Sequence, residues 1–260
     1  MKSIIFTDLD GTLLDQYNYS YKKAIKALNL IRKKDIPLVF CTSKTRAEIE
    51  FYRKKLSNKH PFISENGGAI FIPNNYFNFK VDYDKKDKDY FIIELGTDYD
   101  KLISVIKKIK NNINIRNFGS MSAKEVSKIT NLPIRNAELA KKRYYDEPFI
   151  LVDKEKDLVK IVRKNNLSYT KGTRFYHLMG ESDKGKAVRI LTNFFKKKYG
   201  KIVTYGFGDS KNDFEMLDSV DKGYLVMKKD KKYASKKYKK AYGIGPIGWS
   251  KVVKEVILNN

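Results

Sequence analysis

Two carboxylates, Asp8 and Asp10, follow the apolar run Ile4-Ile5-Phe6 and precede Gly11. An apolar run in that place reads as a buried strand delivering both carboxylates to its carboxyl end. No lysine adjoins them, so they repel unless a cation lies between them or one is a nucleophile. Both conditions hold in phosphoryl transfer through an aspartyl phosphate. Further groups occupy matching positions. Thr42 and Ser43 follow the apolar stretch Ile36–Cys41, and Asp209, Asn212 and Asp213 follow Ile202–Tyr205 within GDSKND. Open α/β sheets bind ligands at such strand ends. Lys184, in Asp183-Lys184-Gly185, opens a helix, and a helix N-terminus suits an anion.

Taken singly, each residue has a plainer reading. A hydroxyl after a strand is commonly a helix cap, and Lys184 has Lys186 as a close rival. The case rests on their agreement.

The elements that must position these groups alternate in the first third of the chain. A helical period runs through Tyr21, Ala24, Ile25, Leu28 and Ile31, with Ser20 as its cap, and another spans Thr42 to Leu56. Phe62-Ile63 and Ala69–Ile72 flank a glycine-bearing turn. This alternation predicts a parallel sheet with helices on both faces. From Asp82 to Asp89 the chain is a run of charges, the texture of a domain junction. Beyond it the alternation is less regular: a strand from Tyr90 to Leu95, a helix through Leu102 to Ile109, a capping box at Ser122–Glu125, and a hairpin over Tyr169–Met179 turning at Lys171-Gly172. An antiparallel sheet with helices on one face is expected there. The parallel pattern then returns, with Gly223–Met227 as its last clear strand and Lys228–Lys240 as exposed helix or loop. The division expected is a core of residues 1–81 and 181–260 interrupted by an insertion of residues 82–180.

Composition narrows the function classes. The 260-residue chain carries 54 Lys+Arg against 30 Asp+Glu, a net charge of +24 that favours anionic partners. The lysines are spread along the whole chain, and no zinc motif or clustered basic arm appears, which argues against a nucleic-acid binder. No apolar stretch of about 18 residues is present to cross a membrane. The absence of a leader and the single cysteine, Cys41, fit a cytoplasmic enzyme.

DLDGT, a hydroxyl after an apolar strand, a later lysine and GDxxND, in that order, resemble the haloacid dehalogenase superfamily. The large insertion resembles that of members with a C2-type cap. CTSKTRAEIE, SENGGAIFIP, YYDEPF, RFYHLMGESDKGKAV and GPIGWSKVV resemble the mannosyl-3-phosphoglycerate phosphatases within it, over nearly the full chain. The resemblance implies a Rossmann-like parallel-sheet α/β core with an inserted α+β cap. It implies hydrolysis of 2-O-mannosyl-3-phosphoglycerate to mannosylglycerate and phosphate. Asp8 would be the nucleophile and Asp10 the general acid and base. Mg²⁺ would be held by Asp8, Asp10, Asp209 and Asp213, and the phosphate by Thr42, Ser43, Lys184 and Asn212. Lys44, Arg46, Glu147, Arg174 and His177 are candidates to read a small phosphorylated sugar or glycerate. Strict strand alternation would turn Arg174 and His177 to opposite faces. Another sugar phosphatase or a phosphomutase of the superfamily remains an alternative.

Overall fold

The computed structural model describes residues 1–152 and 155–258. The run Ile4–Phe6 lies within β1 (Lys2–Thr7), which is buried on both faces. Its side chains alternate between two apolar layers, Ile5 joining one and Ile4 and Phe6 the other. That is the signature of a central strand in a parallel sheet covered on both sides.

The chain continues through α1 (Ile25–Lys33), β2 (Leu38–Cys41), α2 (Arg46–Lys55) and β3 (Phe62–Ser64). It reverses into β4 (Ala69–Pro73), β5 (Lys85–Lys86) and β6 (Tyr90–Glu94). Next come α3 (Tyr99–Lys110), β7 (Ile115–Asn117), α4 (Ala123–Thr130), α5 (Ile134–Ala140), β8 (Asp146–Leu151), α6 (Glu155–Lys164), β9 (Ser168–Lys171) and β10 (Tyr176–Met179). The final group is α7 (Lys184–Tyr199), β11 (Ile202–Gly208), α8 (Phe214–Asp218), β12 (Lys222–Met227), β13 (Lys239–Ile244) and α9 (Pro246–Leu258).

The large sheet has the order β13-β12-β11-β1-β2-β3-β4-β6-β5. It is parallel from β13 to β3. The chain leaves β1 toward β2 on one side and returns through β11 on the other. The carboxyl end of β1 is therefore the switch point where such sheets open a crevice. The second sheet, β7-β8-β10-β9, is antiparallel. Apolar residues of α3 and α6, including Leu102, Ile106 and Val162, pack with its Phe149 and Leu178.

Several expectations change. The texture break at residue 82 does not coincide with the end of the large sheet, because β5 and β6 add to it antiparallel beyond β4. The second sheet's own segment begins only after Glu94. Met227 does not end the last strand, since β13 pairs parallel with β12. Ser20 accepts from the Lys22 amide, but regular α-helix begins only at Ile25, after a 3₁₀ turn.

Candidate active site

Three strand ends and one helix start converge as the motifs require. Asp8 follows β1, with its amide donating to the Phe207 carbonyl of β11. Asp209 follows β11, and Asp213 lies in the 3₁₀ turn just beyond. Carboxylate oxygens of Asp8, Asp209 and Asp213 all lie within 4.8 Å of one another, and all three residues are buried. Lys184 is the first residue of α7, placed there by the cap Asp183, whose side chain accepts from the Lys186 amide. Its ammonium reaches Asp213 Oδ1 at 2.6 Å and Asp8 Oδ1 at 2.9 Å. Asp213 Oδ2 also accepts from the amides of Asp209 and Ser210, so this carboxylate braces the loop. Among the described residues, Asp209 accepts only from hydroxyls, those of Thr12 at 3.4 Å and Thr173 at 3.0 Å.

Electrostatics follow from this count. Burial raises the Asp8 carboxyl to about 7, against the pull of Lys184. Burial, Asp213 and Asp8 push Asp209 well above the usual carboxylate range. Burial opposes the charge of Lys184, yet Asp213 and Asp8 hold its pKa above the ordinary value. Were all three carboxylates ionised against the one contacting ammonium, two buried negative charges would stand unanswered. That is the charge of one divalent cation, and an all-oxygen donor set suits a hard one.

A cleft lies between this floor and the second sheet. Asp8, Asp10, Ser43, Lys44 and Asn212 line it from the large-sheet side, Arg174 and His177 from the other. Asp10 Oδ2 meets Lys44 at 2.8 Å, whereas its buried Oδ1 has no hydrogen-bond partner among the described residues. Thr42 is buried and does not itself line the cleft; its carbonyl accepts from the Asn66 amide.

A polar chain joins the two sheets. Ser210 donates to Asn212 Oδ1, Asn212 donates to Asn66, and Asn66 donates to Asp146 at 2.6 Å. Asp146 in turn holds His177 Nδ1 at 2.9 Å and Arg143 at 3.2 Å. Burial opposes ionisation of Asp146, but His177 and Arg143 outweigh it and keep its pKa low. The corner carrying Asn66 is tight. Glu65 and Asn66 both have left-handed backbone. A Cβ on Gly67 would stand 2.2 Å from the Asp183 carbonyl oxygen, and one on Gly68 2.4 Å from Tyr145 Cβ.

Two of the candidate readers lie elsewhere. Arg46 pairs with Glu50 at 2.8 Å and Asp87 at 2.6 Å, over the rings of Phe71 and Tyr90, and does not line the cleft. Glu147 points away because strand alternation sends its neighbours Asp146 and Pro148 to the cleft face. Its oxygens are taken by Asn117, the Gly119 amide and Tyr99. Arg174 and His177, expected on opposite faces, both line the cleft. Arg174 precedes β10, in a turn closed by the Gly172 amide donating to the Phe175 carbonyl, so alternation does not bind it. Sequence reasoning missed Tyr19, Asn66, Arg143 and Thr173. Only the SENGG string hinted at Asn66, and nothing local marks the others.

A family model described as haloacid dehalogenase-like hydrolase matches residues 5–239. Among curated proteins, the glucosyl-3-phosphoglycerate/mannosyl-3-phosphoglycerate phosphatase of Methanococcoides burtonii is 47% identical, covering 100% of this chain and 99% of its own. The mannosyl-3-phosphoglycerate phosphatase of Pyrococcus furiosus is 40% identical over 87% of this chain and 91% of its own. Among solved structures, a Thermoplasma acidophilum protein superposes with a TM-score of 0.70 at 19% identity, covering 98% of each chain. Motif order, strand-end geometry and these likenesses agree, and the chain belongs to the haloacid dehalogenase-like hydrolases.

Proposed function

We propose that this chain is a Mg²⁺-dependent phosphatase acting on mannosyl-3-phosphoglycerate and on its glucosyl counterpart. The double name carried by the Methanococcoides relative, and by a Persephonella marina relative 45% identical, supports both sugars. The observation that carries the chemistry is the buried cluster of three carboxylates facing one contacting ammonium. Asp8 and Asp209 fit as the ion's carboxylate ligands, and bound Mg²⁺ would neutralise charge on the phosphoryl oxygens. Asp213 serves from behind, since it already accepts from Lys184 and two amides.

The residues then divide the work. Asp8 attacks phosphorus, forming the aspartyl phosphate as the ester bond to the glycerate oxygen breaks. Asp10 protonates that leaving oxygen and later takes a proton from the water that opens the acyl phosphate. Its unpartnered Oδ1 is the atom free to do so. Lys184, Thr42, Ser43 and Asn212 hold the phosphoryl group. The second sheet forms the cap, and its Thr173 reaches down to Asp209 at 3.0 Å, which supports a roof that excludes bulk water.

Purified protein with Mg²⁺ should release phosphate from both glycosyl-3-phosphoglycerates far faster than from hexose phosphates. A flat profile sinks the specificity, and isomer formation in place of phosphate release points to a mutase. Asp8→Asn should lower turnover by roughly four or more orders of magnitude, the scale of losing a nucleophile. Retained turnover refutes the covalent route.

A further inference from the structure

Four lysine and arginine side chains serve the cleft, and all but one are answered by carboxylates. Lys184 bridges Asp8 and Asp213. Lys44 bridges Asp10 and Glu48. Arg143 pairs with Asp146 at 3.2 Å and with Glu48 at 3.9 Å. Arg174 is the exception among the described residues. Its Nη1 donates to the Thr130 carbonyl at 2.9 Å and its Nη2 to the Tyr19 hydroxyl at 2.6 Å. Its guanidinium lies near the rings of Tyr19 and Phe175, at 5.7 and 6.0 Å from their centres.

None of those partners is an anion. Burial and Asp10 raise the Tyr19 phenol above its usual pKa, so it stays neutral. Tyr19 also donates to the Thr130 carbonyl at 2.6 Å, which closes a triangle of three groups from three separate segments. The guanidinium is thus fixed in place before any ligand arrives. It presents five N–H donors, and those left over can take a planar carboxylate side-on.

We propose that Arg174, held by Tyr19 and Thr130, is the seat for the carboxylate of the substrate's glycerate unit. The proposal rests on the phosphatase reading above. In a 3-phosphoglycerate ester a single carbon separates the phosphorylated carbon from the carboxyl carbon, so both anionic groups must enter one cleft. The phosphate belongs at the Asp8 and Lys184 end, and the other anion meets the cation that lacks a counter-charge. The enzyme thereby selects acids over neutral phosphate esters.

The test compares kcat/KM for 3-phosphoglycerate with that for glycerol 3-phosphate, in which a hydroxymethyl group replaces the carboxylate. Their ratio is taken within each variant, so losses from folding cancel. Wild type should favour the acid. Arg174→Met should cut the ratio about tenfold or more, the scale of a charge-assisted hydrogen bond. Arg174→Lys should fall between, and Tyr19→Phe should lower the ratio less than Arg174→Met. An unchanged ratio, or equal losses on both esters, overturns the seat. A second arm titrates mannosylglycerate, which has the carboxylate and no phosphate, into wild type and Arg174→Met by calorimetry. Binding that depends on Arg174, with no phosphate released from any ester, would keep the seat and refute the phosphatase. Phosphate release with Arg174-independent binding would do the reverse.

Discussion

Lys184 is fully buried between two carboxylates, and its removal strands both of them. Lys184→Met should cost about 3–5 kcal/mol of stability, the range for breaking a buried ion pair. Urea unfolding measures it, and an unshifted midpoint contradicts the placement. Glu65 offers a pH prediction. Burial raises its carboxyl from 4.5 to about 7, against Arg143 and the Tyr144 and Tyr145 amides. A folded pKa above the unfolded one means tighter proton binding in the fold. This contribution to stability is full below about 4.5 and is lost as the pH rises to about 7. The loss is roughly 3 kcal/mol, at about 1.4 per pH unit. The difference in unfolding free energy between wild type and Glu65→Gln should move toward the variant by that order between pH 5 and 8. A constant difference refutes it. Neither lesson is local in sequence. Lys184 was legible because a motif named it, whereas Glu65 becomes acidic chemistry of interest only once folding buries it.

At the scale of elements, caps and apolar periods were legible where they sit next to one another in the chain. The Ser122–Glu125 box opens α4 as read, and Asp183 places Lys184 at the head of α7. Strands with little apolar content were not legible. β5 is two exposed lysines, and β13 buries fully only Ala241. Their pairing comes from neighbours, and pattern reasoning has no purchase on it. Thr45 is an element device of a different kind. It caps α2 in a reciprocal box with Glu48, and its hydroxyl also donates to the Leu139 carbonyl at the end of α5. Thr45→Ala should lose about 1–2 kcal/mol, the upper part of the range for caps. Thr45→Ser should recover most of it in thermal melts, and equal losses in both would deny the capping role.

Over the whole molecule, the loops after β1 and β11 bring the carboxyl groups of Asp8 and Asp209 together. A divalent ion there should tie the two halves of the large sheet together. Mg²⁺ at about 100 times its Kd should stabilise the protein by about 2.7 kcal/mol over a chelated sample. Identical melting with Mg²⁺ and with chelator would sink the site. No described helix is long and apolar enough to cross a membrane.

The glycine corner at residues 67 and 68 bears on how this protein can change over generations. There a single added methyl strikes the backbone before α7 on one side and Tyr145 on the other, so mutation finds no slack. The turn carrying Arg174 differs: a Cβ on Gly172 would meet nothing closer than 3.5 Å. Descendants that take up new esters should therefore vary at that turn and inherit the corner untouched.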